Sequence, residues 1–326
     1  MLNPKNTFLD CPSWAGAIAA AFCVAISNPV AWAWGTDGHK TVGAIADDLI
    51  VGSHAEQHVK TLLGTESLQD ASTWADEVKH GPFTKETKAY AARNHDHKAN
   101  HYADIPIQKS AYSASFIGAN KNDVVHTIVR CIKVLESGKD DPTITQKEAL
   151  MVLVHMVGDV HQPLHVGSVY LDATGKIVEP KTPAEAAAAF TTGGNDVSFH
   201  GVLHSYWDDQ TVSRAFTMEK VATPKAFADK VSKTSPAGVQ TGSFMSQWSG
   251  QWASSMMPLA AKAYDLKYEA KTSKVEKVHG KMTTVTYWPA TATDVKTYDS
   301  WAGQVAHDNL VLAGFRLAAV LKKIWP

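Results

Sequence analysis

Histidine and aspartate recur in this chain at spacings suited to metal ligation. In His155-Met-Val-Gly-Asp159-Val-His161-Gln-Pro163-Leu-His165, the first His and the Asp are four apart in an apolar run of helical period, so they share one face. Pro163 lacks an N–H and crowds the preceding turn, so it should end or kink that helix. His165 then stands just past the break, able to turn toward the same cavity. His204 and Asp208 repeat the four-residue spacing in Leu203-His204-Ser-Tyr-Trp207-Asp208-Asp209. A single imidazole on an apolar face is commonly a satisfied core residue. Two His/Asp pairs on apolar helices are harder to bury unless they are paired or hold a metal. Trp34-Gly35-Thr36-Asp37-Gly38-His39, Trp74-Ala75-Asp76-Glu77-Val78-Lys79 and His101-Tyr102-Ala103-Asp104 offer further imidazoles and carboxylates. The donors are nitrogen and oxygen only, which suits zinc and leaves manganese, iron and nickel open. The chain has no G-x-S-x-G, G-x-x-x-x-G-K-[ST], H-E-x-x-H or G-x-G-x-x-G motif. That absence favours metal-activated water over a serine nucleophile or a nucleotide-driven engine.

The elements that must position these groups are mainly helical. Val42, Ile45, Ala46 and Leu49 mark one apolar face of a helix opened near Asp37-Gly38, and Val124, Val125, Ile128, Val129 and Ile132 mark another that ends near Gly138. Ala149 to Val160 is apolar almost throughout and reads as a buried central helix. Helices also fit Leu203–Phe216, Phe244–Tyr264 and Ala306–Ile324. Only Val275–Trp288, with His279-Gly280 at its middle, has the alternation of a β-hairpin. Lys88–Ile107 and Leu171–Gly194 read as loops. No repeat or linker divides the chain, so one all-α, mainly helical domain with a small β-hairpin is expected.

Residues 1–33 read as an export signal. Lys5 precedes an apolar run, Trp14–Ile26, shorter than the ~20 residues of a membrane span. Ala31-Trp32-Ala33 then supplies an A-x-A cleavage signal. Cutting between Ala33 and Trp34 would leave a domain of residues 34–326, secreted or periplasmic, with Trp34 as a free N-terminus. Of the three cysteines, only Cys131 lies beyond the signal, so no internal disulfide is available and bound metal is a candidate source of stability. Formal net charge is −1, with 31 basic and 32 acidic side chains. That balance argues against a surface that grips duplex phosphates through Lys and Arg generally. Polyanion binding must rest on local positive charge, which metal ions can supply.

Together these motifs resemble the zinc-dependent, single-strand-specific nuclease and 3′-nucleotidase family of fungi, plants and bacteria, whose helical fold is shared with bacterial zinc phospholipase C. The resemblance runs in order from Trp34 through Asp208, and Leu312-Ala-Gly-Phe-Arg-Leu-Ala is similar to the family's last helix. It implies three zinc ions per chain. Asp76, His101, His155 and Asp159 would hold one. The Trp34 amino nitrogen and carbonyl, His39 and a bridging Asp159 would hold a second, and His165, His204 and Asp208 a third. The implied reaction is hydrolysis of single-stranded DNA and RNA, and of 3′-nucleotides, by metal-activated water, leaving 5′-phosphates. Lys79 and Asp104 stand where the family places a cation–carboxylate pair near the scissile phosphate, and Tyr102 where a ring can stack a base. A zinc phospholipase C is the alternative. Those enzymes resemble H-x-x-x-E at the last ligand, where this chain has His204-x-x-x-Asp208.

The chain also departs from the family. Lys79 replaces a frequent Arg, Asn100 stands where an aromatic is common, Leu171–Gly194 is longer than the usual link to Gly193-Gly194-Asn195-Asp196, and the disulfides of fungal and plant members are missing. His161, two residues from Asp159, should point off the metal face. His95 and His97 read as solvated loop residues, and His54, His58, His80, His126, His200, His279 and His307 lack ligand-type partners at useful spacing.

Overall fold

Every residue from Glu148 to Asp159 is buried in the helix Gln146–Asp159. A helix apolar on all sides must be enclosed by others. The computed structural model, which describes residues 34–239, 244–278 and 281–326, shows that enclosure. Helices Thr36–Ile50, His54–Leu63, Leu68–Ala71, Trp74–His80, Val124–Ser137 and Val295–Ile324 all pack against the central one. Its start is set by a capping box. The Glu148 amide donates to Thr145 Oγ1 at 3.2 Å, and the Thr145 amide donates to Glu148 Oε2 at 2.8 Å. Arg93 Nη2 adds a charged bond of 2.6 Å to Glu148. At the other end the chain breaks as Pro163 demands, into a short 3₁₀ turn, Pro163–His165.

The expected helix on Val42, Ile45, Ala46 and Leu49 lies against the last helix, and Gly314 allows that approach. A Cβ there would come within 2.5 Å of Ile45 Cβ. Val124–Ser137 ends at Gly138 in the left-handed conformation, φ 62°. The Leu203–Phe216 segment is helical but not uniformly so. Leu203–Ser205 is α, Tyr206–Gln210 is a π-turn and Thr211–Glu219 is α again. The terminal helix is longer than its apolar stretch, running Val295–Ile324 from an Asp294 cap. Trp248–Ala263 begins four residues later than the apolar run, after a 3₁₀ turn.

Two loop readings need correction. Lys88–Ile107 is helical through Arg93, because Thr84 caps a helix Lys85–Arg93 whose Thr87 and Tyr90 are buried, a face too narrow to register as period. Leu171–Gly194 contains a small hairpin, Tyr170–Leu171 with Ile177–Val178, and a helix Pro183–Ala189 capped by Thr182. The expected β-hairpin forms from Thr272–Val278 and Lys281–Thr291, which also pairs with Val197–Ser198 and Lys267–Tyr268. His279 and Gly280 lie outside the described residues, as does the whole export signal read at residues 1–33. No helix of the described residues is long and apolar enough to cross a membrane, and Cys131 is a buried free thiol.

Candidate metal centre

The central helix delivers His155 and Asp159 to the middle of the protein, where neither is exposed to solvent. Asp159 is the pivot. Its Oδ1 lies 3.3 Å from His39 Nε2, and its Oδ2 lies 3.0 Å from His101 Nδ1 and 3.4 Å from His155 Nε2. His39 comes from the first helix and stacks on His155 with ring centres 3.7 Å apart. This approach needs Gly158, since a Cβ there would stand 2.8 Å from His39 Nδ1. Asp76, from the short helix Trp74–His80, places Oδ1 at 3.7 Å from His155 Nε2 and 3.8 Å from His101 Nδ1. Two overlapping groups result, His39/His155/Asp159 and Asp76/His101/His155.

A third group, His165/His204/Asp208, lies beside them. His165 reaches it because the break at Pro163 turns the chain, and its Nδ1 donates to the His101 carbonyl at 2.6 Å. His204 Nδ1 donates to the Gly193 carbonyl at 2.7 Å. Gly193 adopts φ 60°, a backbone state that a side chain disfavours. Because a carbonyl only accepts, both Nδ1 atoms carry the proton and both Nε2 atoms present lone pairs. Those two Nε2 atoms face each other at 3.1 Å. Burial pushes His165 down to about 4 and His204 down to about 3, so near neutral pH neither ring gains a second proton. Two lone pairs so placed repel unless a cation sits between them.

The remaining groups differ in protonation. Burial, reinforced by His155, holds His39 below its usual range, and burial with Lys79 does the same for His101. Burial also opposes a charged His155, yet Asp159 and Asp76 overcome it and push that ring up to about 9 in the absence of metal. Burial raises Asp76 and Asp208. Both nitrogens of His39, both oxygens of Asp76, Asp159 Oδ1 and Asp208 Oδ2 are buried without a hydrogen-bond partner. Orphaned donors of this kind, all nitrogen or oxygen, fit divalent metal.

The N-terminal segment enters the same place. Trp34 is fully buried, Gly35 N donates to the Asp208 carbonyl at 2.9 Å, and the Trp34 ring lies 3.8 Å from the Cβ position of Gly158. Tyr102 is half-buried with Lys79 Nζ 5.9 Å from its ring centre. The field of Lys79 reaches His101, His165, His204 and Asp76. Among the described residues no ion pair joins Lys79 to Asp104. Asp104 is buried instead at the edge of a cavity of about 370 Å³ lined by Ile117, Tyr170, Pro183 and Phe190, and burial pushes its carboxyl up to about 7. A Lys side chain extending over Tyr102 keeps its ammonium in water at lower cost than one driven into that apolar wall.

His161 does point away from the cluster. It donates from Nδ1 to the Val157 carbonyl and accepts from Arg316 Nη1 at 2.8 Å. Sequence reading missed the supporting groups: the Ser72 carbonyl that fixes His155 Nδ1 at 2.7 Å, Gly158, and Gln162, whose amide holds Asp208 Oδ1 at 2.8 Å. Gln162 alone carried a signal, as a polar residue inside an apolar ligand motif.

The helical bundle thus carries buried His/Asp clusters that could hold metal ions. Residues 34–326 match the S1/P1 nuclease family, and the chain belongs to that family. It is 26% identical to nuclease S1 of Aspergillus oryzae over 66% of each chain. It is 30% identical to Endonuclease 4 of Arabidopsis thaliana over 41% of this chain and 45% of that one. With nuclease P1 of Penicillium citrinum it shares 23% over 66% of this chain and 70% of the other. The matches thus span 66% of the length of nuclease S1 and 45% of that of Endonuclease 4.

Proposed function

We propose that this protein is an exported zinc enzyme that hydrolyses single-stranded DNA and RNA to 5′-phosphorylated products and also acts on 3′-nucleotides. The observation that carries the reading is the opposed pair of His165 and His204 lone pairs beside a buried Asp208 oxygen that accepts no hydrogen bond and lies 3.6 Å from His204 Nε2. His165, His204 and Asp208 would hold one zinc. Asp76, His101, His155 and Asp159 would hold another. His39, Asp159 and the Trp34 amino nitrogen and carbonyl would hold the third, once cleavage after Ala33 frees that amine. An amide nitrogen, with its lone pair delocalised, is a poor ligand. Bound there, zinc would supply a Lewis acid that lowers the pKa of water toward neutrality and draws charge from phosphoryl oxygens.

The chain's own residues do the rest. The Ser72, His101 and Gly193 carbonyls hold Nδ1 protons and thereby aim Nε2 inward, fixing tautomer and orientation. Asp159 spaces two of the groups by giving one oxygen to each. Lys79 offers positive charge to a phosphate approaching any of them, and Tyr102 offers a ring to an unstacked base, worth ~1–3 kcal/mol. A duplex base is already stacked, which accounts for single-strand preference. Metal analysis of protein beginning at Trp34, run with single-stranded DNA, RNA, 3′-nucleotide and phosphatidylcholine substrates, tests the reading. Three zincs and turnover of the first three substrates are expected. Hydrolysis of the lipid alone would replace the reading by a phospholipase.

A further inference from the structure

Away from the metal cluster, the outer part of the ribbon formed by Thr272–Val278 and Lys281–Thr291 is exposed on both strands. Thr272, Ser273, Lys274, Val275 and Lys277 are exposed on one strand, and Met282, Thr283, Thr284 and Thr286 on the other. Val275 is 64% exposed and Met282 69%. Adjacent strand residues point to opposite faces, so this ribbon is open to solvent on both. A two-stranded hairpin gains little stability from itself in water, and this one extends beyond any core of its own.

Its chemistry sets it apart from the rest of the molecule. Between residues 270 and 291 four lysines stand against one glutamate, in a chain of net charge −1. Lys271 Nζ sits 4.0 Å from the centre of the Trp288 ring, and Lys274 Nζ 4.9 Å from that of Tyr287. An aromatic face holds an ammonium in place; Lys274 Nζ also pairs with Glu276 Oε1 at 2.5 Å, a partly exposed contact that a phosphate would have to displace. The root of the ribbon is tied to the segment that supports the metal cluster. Trp288 N donates to the Asp196 carbonyl at 2.9 Å, Trp288 Nε1 to the Asp172 carbonyl at 2.8 Å, and Lys271 N to the Ala173 carbonyl at 2.9 Å. The same segment contains Gly193, which orients His204, and Pro183 and Phe190, which line the cavity beside Asp104.

We propose that this hairpin is an accessory arm that holds the flanking stretch of a single-stranded nucleic acid, with Lys271, Lys274 and Lys277 contacting its phosphates. The proposal rests on the nuclease reading and adds a length preference to it. A mononucleotide occupies the metal cluster alone, whereas a longer strand also reaches the arm. Such contacts are indifferent to base sequence and weaken with salt.

The test compares K274E/K277E and the milder K274Q/K277Q with wild type on a long single-stranded oligonucleotide and a 3′-mononucleotide. KM for the long strand should rise roughly tenfold at low salt in the charge-reversed form, and the salt slope of binding should fall by about 1.4 for two lost contacts. The glutamine form should show the same change in slope with a smaller rise in KM. Kinetics on the mononucleotide should stay as in wild type. An unchanged KM for the long strand, or an equal rise for both substrates, overturns the arm. So does loss of binding to anionic vesicles with nucleic-acid kinetics intact. Binding of uncut strand to metal-free protein separates the two claims. Lysine-dependent binding without cleavage by the metal-loaded enzyme would keep the arm and sink the nuclease reading.

Discussion

Asp159 concentrates the chemistry of the site at the level of a single residue. It is fully buried, and its two oxygens face different imidazoles, His39 on one side and His101 with His155 on the other. A carboxylate can serve two cations in this way because each oxygen carries its own lone pairs. Asp159→Asn keeps the size and one acceptor but replaces the other oxygen with a donor that would point at a metal. Activity should fall by at least about a hundredfold, the upper end for disturbing a group that merely orients a ligand. Elemental analysis should find the paired metals lost, while far-UV circular dichroism shows the helices kept. Full metal content in the variant would remove Asp159 from its bridging place.

Between elements, the decisive contact is the approach of the first helix to the central one. Gly158 is not needed there for its conformation, because it sits inside a regular helix. It is needed because His39 occupies the space where a side chain would be, 2.8 Å from the Cβ position. Alanine is the better helix former by about 1 kcal/mol, so helix propensity alone would make Gly158→Ala stabilising. The expected result is the reverse where it matters: His39 is displaced, the metal it helps to hold binds more weakly, and turnover falls. A metal titration by calorimetry reads this directly, and wild-type affinity in the variant would show that His39 has room to shift. The π-turn Tyr206–Gln210 belongs to the same scale. It interrupts an otherwise regular helix at Asp208, and such turns recur at functional sites.

For the whole molecule, the cost of this arrangement falls on the metal-free state. Asp76, Asp159 and Asp208 are buried together, with several of their oxygens accepting no hydrogen bond, and no disulfide braces the described chain. A cation that binds the folded form and not the unfolded one stabilises it by mass action, by about 4 kcal/mol at a thousandfold excess over Kd. Chelation should therefore lower the melting temperature of the processed protein markedly, and added zinc should restore it. A thermal melt indifferent to chelator would mean that the clusters are held by protein contacts alone.

How much of this could be read from the residues follows from the range of the forces involved. Four-residue His/Asp spacing, the break at Pro163, the nitrogen and oxygen donor set and the alternation of the hairpin are local properties, and each appears where the sequence placed it. Period also located the central helix, because a helix enclosed on every side must be apolar on every side. It missed Lys85–Arg93, whose buried face amounts to Thr87 and Tyr90, and it missed the polar first turns of the terminal helix, which Asp294 caps. Resemblance supplied the proposed ligand set, but not the reason these side chains point inward. That reason lies in distant backbone: the Ser72 carbonyl, 83 residues from His155 along the chain, and the Gly193 carbonyl behind His204. The separate surroundings of Lys79 and Asp104 escaped the sequence for a related cause. Neighbours in sequence showed that both residues were near the cluster, but only the folded surface decided that the ammonium would extend over Tyr102 while the carboxyl was buried beside an apolar cavity. Spacing along a chain specifies which groups share a face; the distances between faces, and the solvent left between them, are set only when the segments close on one another.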